Sequence, residues 1–202
     1  MKIAVLGGRF DPIHSGHVLV VRQVLELVPG VDKVLFIPAN KHQWKPTVAS
    51  ANDRIAMIES VLEDKMEVSD IEIKRGGVSY SIDTIRALKK ETPARHRLST
   101  QVTAGGGAQI YWIIGSDIVA EFDRWEKSKE LVKEATFLVF PRDPYDLPTD
   151  LPKGFRLISD PNLLVTSFSG TAIRERVKRG KSIKYLVPEE VERYIRENKL
   201  YV

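Results

Sequence analysis

The sequence predicts an α/β fold in which the strands of a parallel β-sheet are joined by crossover helices. Apolar runs of strand length alternate along the chain with segments whose apolar residues recur at helical spacing. The chain has 202 residues, which is enough to bury a stable core without disulfide bonds. Its 43% of apolar and 29% of charged residues are usual for a globular protein. We therefore expect residues 1–202 to form a single domain.

The first half of the chain gives the clearest alternation. KIAVLGG predicts a central strand, and the spacing of valines and leucines predicts a helix over residues 15–27. A second buried strand, KVLFIPA, follows, and Ser50 with Asp53 forms a capping box that begins the next helix. MEVSDIEIKR alternates like a strand, and SIDTIRALKKE has the pattern of a helix.

The second half repeats this order. IYWIIG and TFLVFPR predict buried strands, with a helix in DRWEKSKELVKEA between them. FRLISD and LLVTS have the pattern of strands at the far side of the sheet. Helices predicted over residues 170–179 and 188–197 would pack on the sheet as a small C-terminal extension. The glycine-rich stretch TPARHRLSTQVTAGGGAQ and the proline-rich residues 143–153 predict surface loops, the first of them flexible.

Charge and composition exclude several classes of function. The net charge of +4 favours an anionic ligand, but it is too dispersed to predict a nucleic-acid partner. Cysteine is absent, which excludes thiol catalysis and cysteine-ligated zinc. No apolar run is long enough to span a membrane and no signal peptide is evident, so we expect a cytoplasmic protein. The oligomeric state is open, a homo-oligomer included.

The stretch GGRFDPIHSGH, directly after the first strand, carries the strongest chemical signal. Glycines let a ligand approach the backbone, and a helix N-terminus attracts phosphate. His14 and His17 would share one face at that helix start, with Gly16 between them. Two imidazoles there can donate to phosphoryl oxygens, and a bound phosphate would keep them protonated. The carboxyl end of a first α/β strand is also where such sheets bind ligands.

Two other interpretations of this stretch remain open. It could be a helix-capping turn with incidental histidines, or the His-x-x-His pair could chelate a metal ion. A third metal ligand is not evident from the sequence. The stretch contains neither G-x-x-x-x-G-K-[ST] nor G-x-G-x-x-G, so the common phosphate loops are not matched.

GGRFDPIHSGH resembles the signature of the nucleotidylyltransferases built on the H-x-G-H motif, and SFSGTAIRERV resembles their second motif, I-S-S-T-x-I-R. SYSIDTIRAL, IIGSDIVAEFDRW and KSIKYLVPEEVERYIRENKLY are similar to the bacterial nicotinate-nucleotide adenylyltransferases. The resemblance implies the Rossmann-like doubly wound parallel sheet of that superfamily. It also implies adenylyl transfer from ATP to nicotinate mononucleotide, giving nicotinate adenine dinucleotide and pyrophosphate. The chain departs from the usual motifs at Gly170 (usually serine), at Ser81 (usually threonine) and in the loop NKHQWKP.

The same resemblance implies the residues of the site. The residues that would act on the reacting phosphates are His14, His17 and Arg174. The residues that would bind ATP are Gly7, Gly8, Phe10, Gly16, Gly115, Asp117, Ser169, Thr171 and Ile173. The residues that would bind nicotinate mononucleotide are Lys41, His42, Lys45, Tyr80, Ser81, Trp125 and Arg142. Mg²⁺ would bridge the ATP phosphates, and no protein ligand is assigned to it.

Simpler interpretations compete at several of these positions. Arg174 fits a solvated basic helix face, Trp125 fits a half-buried core aromatic, and Lys41, His42 and Lys45 fit ordinary surface charge. The rival functions are a sister adenylyltransferase that uses nicotinamide mononucleotide or phosphopantetheine, a cytidylyltransferase, and a nucleotide-binding regulator without turnover.

Overall fold

The computed structural model describes residues 1–91, 108–143, 145 and 150–202. Its centre is a sheet in which all neighbouring strands are parallel, in the order β3-β2-β1-β4-β5-β6. This is the strand order of the Rossmann fold, with the order reversing between β1 and β4. The strands are β1 (Lys2–Gly8), β2 (Lys33–Pro38), β3 (Met66–Val68), β4 (Gln109–Gly115), β5 (Thr136–Phe140) and β6 (Phe155–Leu157).

Helices cover both faces of the sheet, as its sequence pattern requires. Along β1, Ala4 belongs to one hydrophobic core, whereas Ile3 and Val5 belong to the other. Strands buried on both faces are nearly continuous apolar runs, which is the pattern of KIAVL and YWII. The helices are α1 (Ser15–Leu27), α2 (Ala51–Glu59), α3 (Ile71–Arg75), α4 (Ser81–Glu91), α5 (Ser116–Val119), α6 (Ser128–Glu134), α7 (Gly170–Lys178) and α8 (Glu189–Glu197).

The C-terminal helices pack where the sequence predicted. Ile173 of α7 and Val191 and Ile195 of α8 lie in the same core as Ala4 and Phe36 of the sheet. Ser50 caps α2, as predicted, by accepting a hydrogen bond from the backbone N–H of Asp53, while its hydroxyl donates to the Asp53 carboxylate. Within the described part of the chain, no helix has both the length and the apolarity needed to cross a bilayer.

Three predicted elements differ from the structure. The second half of MEVSDIEIKR forms α3 instead of continuing β3, because a few alternating residues do not distinguish a strand from a short helix. LLVTS forms no strand, since the backbone of Leu164 pairs with the side chain of Gln23. The helix predicted from Asp123 begins only at Ser128, after a 3-10 turn. Residues 92–107 of the glycine-rich stretch, and residues 144 and 146–149 of the proline-rich one, lie outside the described residues.

Candidate active site

A pocket of about 320 Å³ opens at the carboxyl ends of β1, β4 and β5, where the strand order reverses. This crevice is where open α/β sheets bind their ligands. The predicted site residues that line it are Gly7, Gly8, His14, Gly16, His17, His42, Tyr80, Ser81, Gly115, Asp117, Trp125 and Arg142. The predicted residues that do not line it are Phe10, Lys41, Lys45, Ser169, Thr171, Ile173 and Arg174. Twelve of the predicted site residues therefore lie around one pocket, and their roles in binding stay predictions.

The two histidines of the opening motif stack on each other at the start of α1. Their ring centroids are 3.6 Å apart and their planes differ by 17°. The backbone N–H of His14 donates to Nδ1 of His17 at 3.2 Å. A neutral imidazole whose Nδ1 accepts a hydrogen bond carries its proton on Nε2. His17 therefore keeps an Nε2–H donor, and buried Nδ1 of His14 has no protein partner among the described residues.

Burial makes both imidazoles neutral in the ligand-free protein. Burial, helped by the nearby charge of Arg142, lowers the pKa of His14 to about 4. The pKa of His17 is lowered well below its usual value, first by burial and then by the charges of His14 and Arg142. The expectation of protonated histidines can therefore hold only once a bound anion opposes this desolvation.

Close packing explains why the motif needs its glycines and Phe10. Phe10 adopts a left-handed backbone conformation with φ of 48°. Its buried ring meets the edge of His17 at 5.0 Å between centroids. A Cβ on Gly16 would lie 2.8 Å from Oγ1 of Thr166, and one on Gly7 would lie 2.7 Å from the Trp112 ring. Beyond giving a ligand access, these glycines therefore let the walls of the pocket close together.

Arg174 of α7 contacts the histidine loop from outside the pocket lining. Its Nη1 donates to the carbonyl of Asp11 at 2.6 Å, and its Nη2 donates to Oγ1 of Thr171 at 3.3 Å. A Cβ at Gly170 would lie 3.1 Å from the same Asp11 carbonyl. The glycine that departs from the usual motif therefore permits this close approach. The Arg174 side chain is 17% exposed and packs against the histidine loop, which rules out the solvated basic face considered above.

Asp11 organises the site, and the sequence analysis missed it. Its buried carboxylate accepts the backbone N–H groups of Val48 and Ala49 at 2.7 and 3.0 Å. The same carboxylate accepts the hydroxyl of Tyr201 at 2.9 Å and lies 3.8 Å from Arg174. A carboxylate in a Phe-Asp-Pro turn, next to the histidine motif, was the available signal. Its partners, however, are distant in sequence.

Asp117 and Arg142 form a second polar group at the ends of β4 and β5. Nη1 of Arg142 donates to Oδ2 of Asp117 at 3.2 Å, and Nη2 donates to the carbonyl of Phe168 at 3.1 Å. Oδ1 of Asp117 is buried without a partner among the described residues. A Cβ at Gly115 would overlap that oxygen, so a larger residue there would displace the Asp117 carboxylate. An unpaired buried carboxylate oxygen is costly unless a ligand donates a hydrogen bond to it, so Oδ1 of Asp117 is an acceptor available to a ligand.

The opposite end of the pocket combines aromatic rings with a helix start. Trp125 is half-buried against Phe122, at 5.5 Å between ring centroids. Ser81 is the first residue of α4, whose initial N–H groups face no intrahelical acceptor. Glu72, which sequence reasoning also missed, lines this end of the pocket. Its carboxylate accepts a hydrogen bond from the hydroxyl of Thr84 at 2.6 Å. Burial raises the pKa of Glu72.

The remaining predicted residues have structural roles or exposed positions. Lys41 is exposed, and its backbone pairs with Val78 and Ser79. Lys45 is exposed on the same loop. Ile173 is buried in the core and its N–H donates to the carbonyl of Ser169 at 3.0 Å. Nothing in these positions adds support to their predicted ligand contacts, which stay predictions.

Comparison with known proteins tests the predicted family. The family model described as cytidylyltransferase-like matches residues 5–176. The chain belongs to the cytidylyltransferase-like family. This cytidylyltransferase-like chain is 37% identical to a probable nicotinate-nucleotide adenylyltransferase of Opitutus terrae, over 100% of the chain and 98% of the relative. A relative of the same description from Synechococcus sp. (strain JA-3-3Ab) is 35% identical, over 100% of the chain and 95% of the relative.

Solved structures support the cytidylyltransferase-like fold. Plasmodium falciparum nicotinic acid mononucleotide adenylyltransferase complexed with NaAD superposes with a TM-score of 0.79 at 20% identity. That match covers 99% of this chain and 97% of the other. The same enzyme complexed with APC gives a TM-score of 0.76, covering 99% and 96% of the two chains. The predicted family, enzyme class and doubly wound fold are confirmed.

Proposed function

We propose that this pocket transfers the adenylyl group of ATP to nicotinate mononucleotide. A phosphate oxygen of the mononucleotide attacks the α-phosphorus of ATP and forms the new P–O bond. The bond from the α-phosphorus to the bridging oxygen of the β-phosphate breaks, and pyrophosphate leaves with that electron pair. The observation that carries the proposal is the stacked pair His14 and His17 at the reversal point of the sheet, in a chain whose full-length relatives bear that enzyme's name.

The reaction requires positioning more than proton transfer. A phosphate monoester has a second pKa of about 6, so the attacking group is already ionised at neutral pH. The protein must bring two anions together and stabilise charge on the α-phosphate and the leaving pyrophosphate. The Nε2–H of His17 supplies a preorganised donor for the α-phosphate oxygens. His14 adds a second buried imidazole at the same helix end.

The remaining residues divide between the two nucleotides. Arg174 and Thr171, already hydrogen-bonded to each other, lie at the start of α7 and would hold the β- and γ-phosphates. Asp117 would accept a ribose hydroxyl with its unpaired oxygen. At the opposite end, Trp125 would stack on the pyridine ring, and the N–H groups around Ser81 would bind the nicotinate carboxylate.

A divalent cation, which we expect to be Mg²⁺, would enter this site bound to the phosphates of the nucleotide. Among the described residues no group of three or more His, Cys, Asp or Glu side chains could hold a metal ion by itself. Mg²⁺ is commonly held by substrate phosphates with few protein ligands. Arg174 and Thr171 would therefore contact the ATP phosphates that carry the ion and not the ion itself. When bound, the ion neutralises charge on the phosphates.

A substrate panel tests the proposal. Purified protein with ATP and Mg²⁺ should release pyrophosphate rapidly with nicotinate mononucleotide and much more slowly with nicotinamide mononucleotide or phosphopantetheine. The physical reason is that a cationic helix end favours a carboxylate over an amide. An equal or reversed preference for the amidated substrate would contradict the assigned acceptor, and no pyrophosphate with any acceptor would contradict catalysis. A single domain, a cytoplasmic location and a homo-oligomer stay predictions.

A further inference from the structure

A buried carboxylate lies at the end of the pocket where the acceptor nucleotide would bind. Glu72 of α3 is 4% exposed and lines the pocket together with Ser79, Tyr80 and Ser81. The proposed adenylyl transfer assigns this carboxylate no contact with either nucleotide. A buried acidic group is costly unless hydrogen-bond donors satisfy its oxygens, so its partners indicate what it does.

The partners of Glu72 lie on both sides of the turn that begins α4. Oγ1 of Thr84 donates to Oε1 of Glu72 at 2.6 Å, and Nη2 of Arg75 donates to Oγ1 of Thr84 at 3.0 Å. Burial raises the pKa of Glu72, and hydrogen bonds from Thr84 and Ser79 oppose that rise. The charge of Arg75 acts in the same direction as these bonds. Glu72 therefore ties α3 to the residues before and after the helix start.

The hydroxyl of Thr84 has one proton and two acceptors within reach. Besides Glu72, it lies 3.3 Å from the carbonyl of Tyr80, four residues earlier. A threonine that donates to the carbonyl four residues back often bends a helix. That carbonyl also accepts the backbone N–H groups of Asp83 and Thr84, at 3.1 and 3.3 Å. The shorter bond to Glu72 takes the hydroxyl proton, which leaves the Tyr80 carbonyl to close the first turn of α4.

We propose that Glu72 is a positioning residue that holds the first turn of α4 in the shape that receives the ring carboxylate of the acceptor mononucleotide. The inference rests on the proposed function, in which N–H groups around Ser81 bind that carboxylate. Glu72 acts through Thr84 and Ser79 and not by touching the substrate. Hydrogen bonds weaken steeply when the N–H is misaligned, so a small tilt of this turn would weaken the acceptor and spare ATP.

Replacement of Glu72 tests this role. Glu72→Met keeps the length of the side chain and removes both acceptor oxygens, whereas Glu72→Gln retains one of them. The KM for nicotinate mononucleotide should rise at least about fivefold in Glu72→Met and less in Glu72→Gln, with kcat and the KM for ATP within about twofold of wild type. The preference over nicotinamide mononucleotide should shrink, because the aligned N–H groups favour an anion.

Two measurements follow these effects: steady-state kinetics with each substrate varied in turn, and calorimetric binding of nicotinate mononucleotide alone. Glu67→Met makes the same replacement at an exposed glutamate of β3 that pairs with Lys33, and it should match the wild type in both.

Variants of Thr84 examine the same bond from its other side. Thr84→Val removes the hydroxyl and should raise the KM for nicotinate mononucleotide, whereas Thr84→Ser keeps the hydroxyl and should behave like the wild type. Residues that act through one shared bond are not additive. Glu72→Met combined with Thr84→Val should therefore be about as impaired as the worse single variant, and not by the product of the two effects.

Several results would overturn the inference. Equal rises in the two KM values, or lower thermal stability with unchanged kinetics, would mean that Glu72 only supports the fold. If Glu72→Met does not fold, the comparison of Thr84→Val with Thr84→Ser decides, since only the first must lose affinity for the acceptor. Failure of the wild type to release pyrophosphate with nicotinate mononucleotide would instead contradict the proposed function, so the two failures are distinguishable.

Discussion

His14 and His17 lie face to face in a buried position, where burial and the charge of Arg142 disfavour the protonated form of both imidazoles. Such a pair is poorly suited to exposed structural capping, because it loses hydration without gaining a counterion. It is well suited to an anion, because phosphate oxygens can restore the protonated state that burial removes. The metal interpretation of the pair finds no third ligand among the described residues.

The buried imidazole of His14 predicts a specific loss of stability in acid. Its pKa is about 4 when folded and about 6.5 in an unfolded chain, so the unfolded state binds more protons between these values. Stability should therefore fall as the pH drops from about 6.5 towards about 4, by about 2 kcal/mol at pH 5 from His14 alone. Urea unfolding of wild type and His14→Asn at pH 7 and pH 5 measures this. A variant that loses as much stability as the wild type would contradict the assignment.

At the scale of elements, helix α1 connects His17 to the segment that forms one wall of the nucleotide pocket. The helix carries His17 in its first turn and Gln23 two turns later. The buried amide of Gln23 donates to the carbonyl of Leu164 at 3.1 Å and accepts its N–H at 2.7 Å. Leu164, Thr166 and nearby residues line the pocket without belonging to a strand. Gln23 therefore replaces the strand partner that this segment lacks.

Removing that amide should weaken ATP binding. Gln23→Met keeps the length of the side chain but removes both part-buried hydrogen bonds to the backbone of Leu164, each of which contributes about 0.5–1.5 kcal/mol. We expect lower stability and a several-fold higher KM for ATP, with the KM for nicotinate mononucleotide nearly unchanged. Steady-state kinetics with each substrate varied in turn, beside thermal unfolding, would measure both effects. Glu26→Gln, an exposed residue of α1, should match the wild type, and parallel rises in both KM values would contradict a role confined to ATP.

At the scale of the whole molecule, the C-terminus returns to the first loop. The Tyr201 hydroxyl donates to Asp11, 190 positions away, and burial beside that carboxylate raises the pKa of Tyr201, which keeps its proton. Asp11 also holds the N–H groups of Val48 and Ala49, and its carbonyl holds Arg174. One aspartate thus connects the opening loop, the segment before α2, α7 and the chain end.

Loss of the Tyr201 hydroxyl should affect both stability and turnover. In Tyr201→Phe the carboxylate of Asp11 loses one buried donor, so we expect a loss of about 1–3 kcal/mol in unfolding free energy. We also expect kcat/KM to fall several-fold, because Arg174 depends on the same loop. Denaturant melts and pyrophosphate-release kinetics measure the two effects. Tyr185→Phe, at a tyrosine that is 80% exposed, is the control, and a Tyr201→Phe variant that behaves like it would contradict this role.

The sequence alone determined the features that depend on neighbouring residues. Apolar runs placed β1, β2, β4 and β5, and the glycine-rich turn with its two histidines placed the start of α1 at the pocket. The helix of Arg174 followed from a similarly local pattern. Where local patterns were short, as in IEIKR and LLVTS, they were consistent with more than one structure, and the strand predictions were wrong.

Only the tertiary structure decided which residues distant in sequence form hydrogen bonds, and which ionisable side chains stay charged when buried. Asp11 with Tyr201, Gln23 with Leu164 and Glu72 with Thr84 join residues that no local pattern connects. The neutral state of the histidines likewise follows from the side chains packed over them, not from their spacing. The physical reason is that hydrogen-bond partners and desolvation depend on the three-dimensional neighbourhood, whereas helix, strand and turn preferences depend on the adjacent chain.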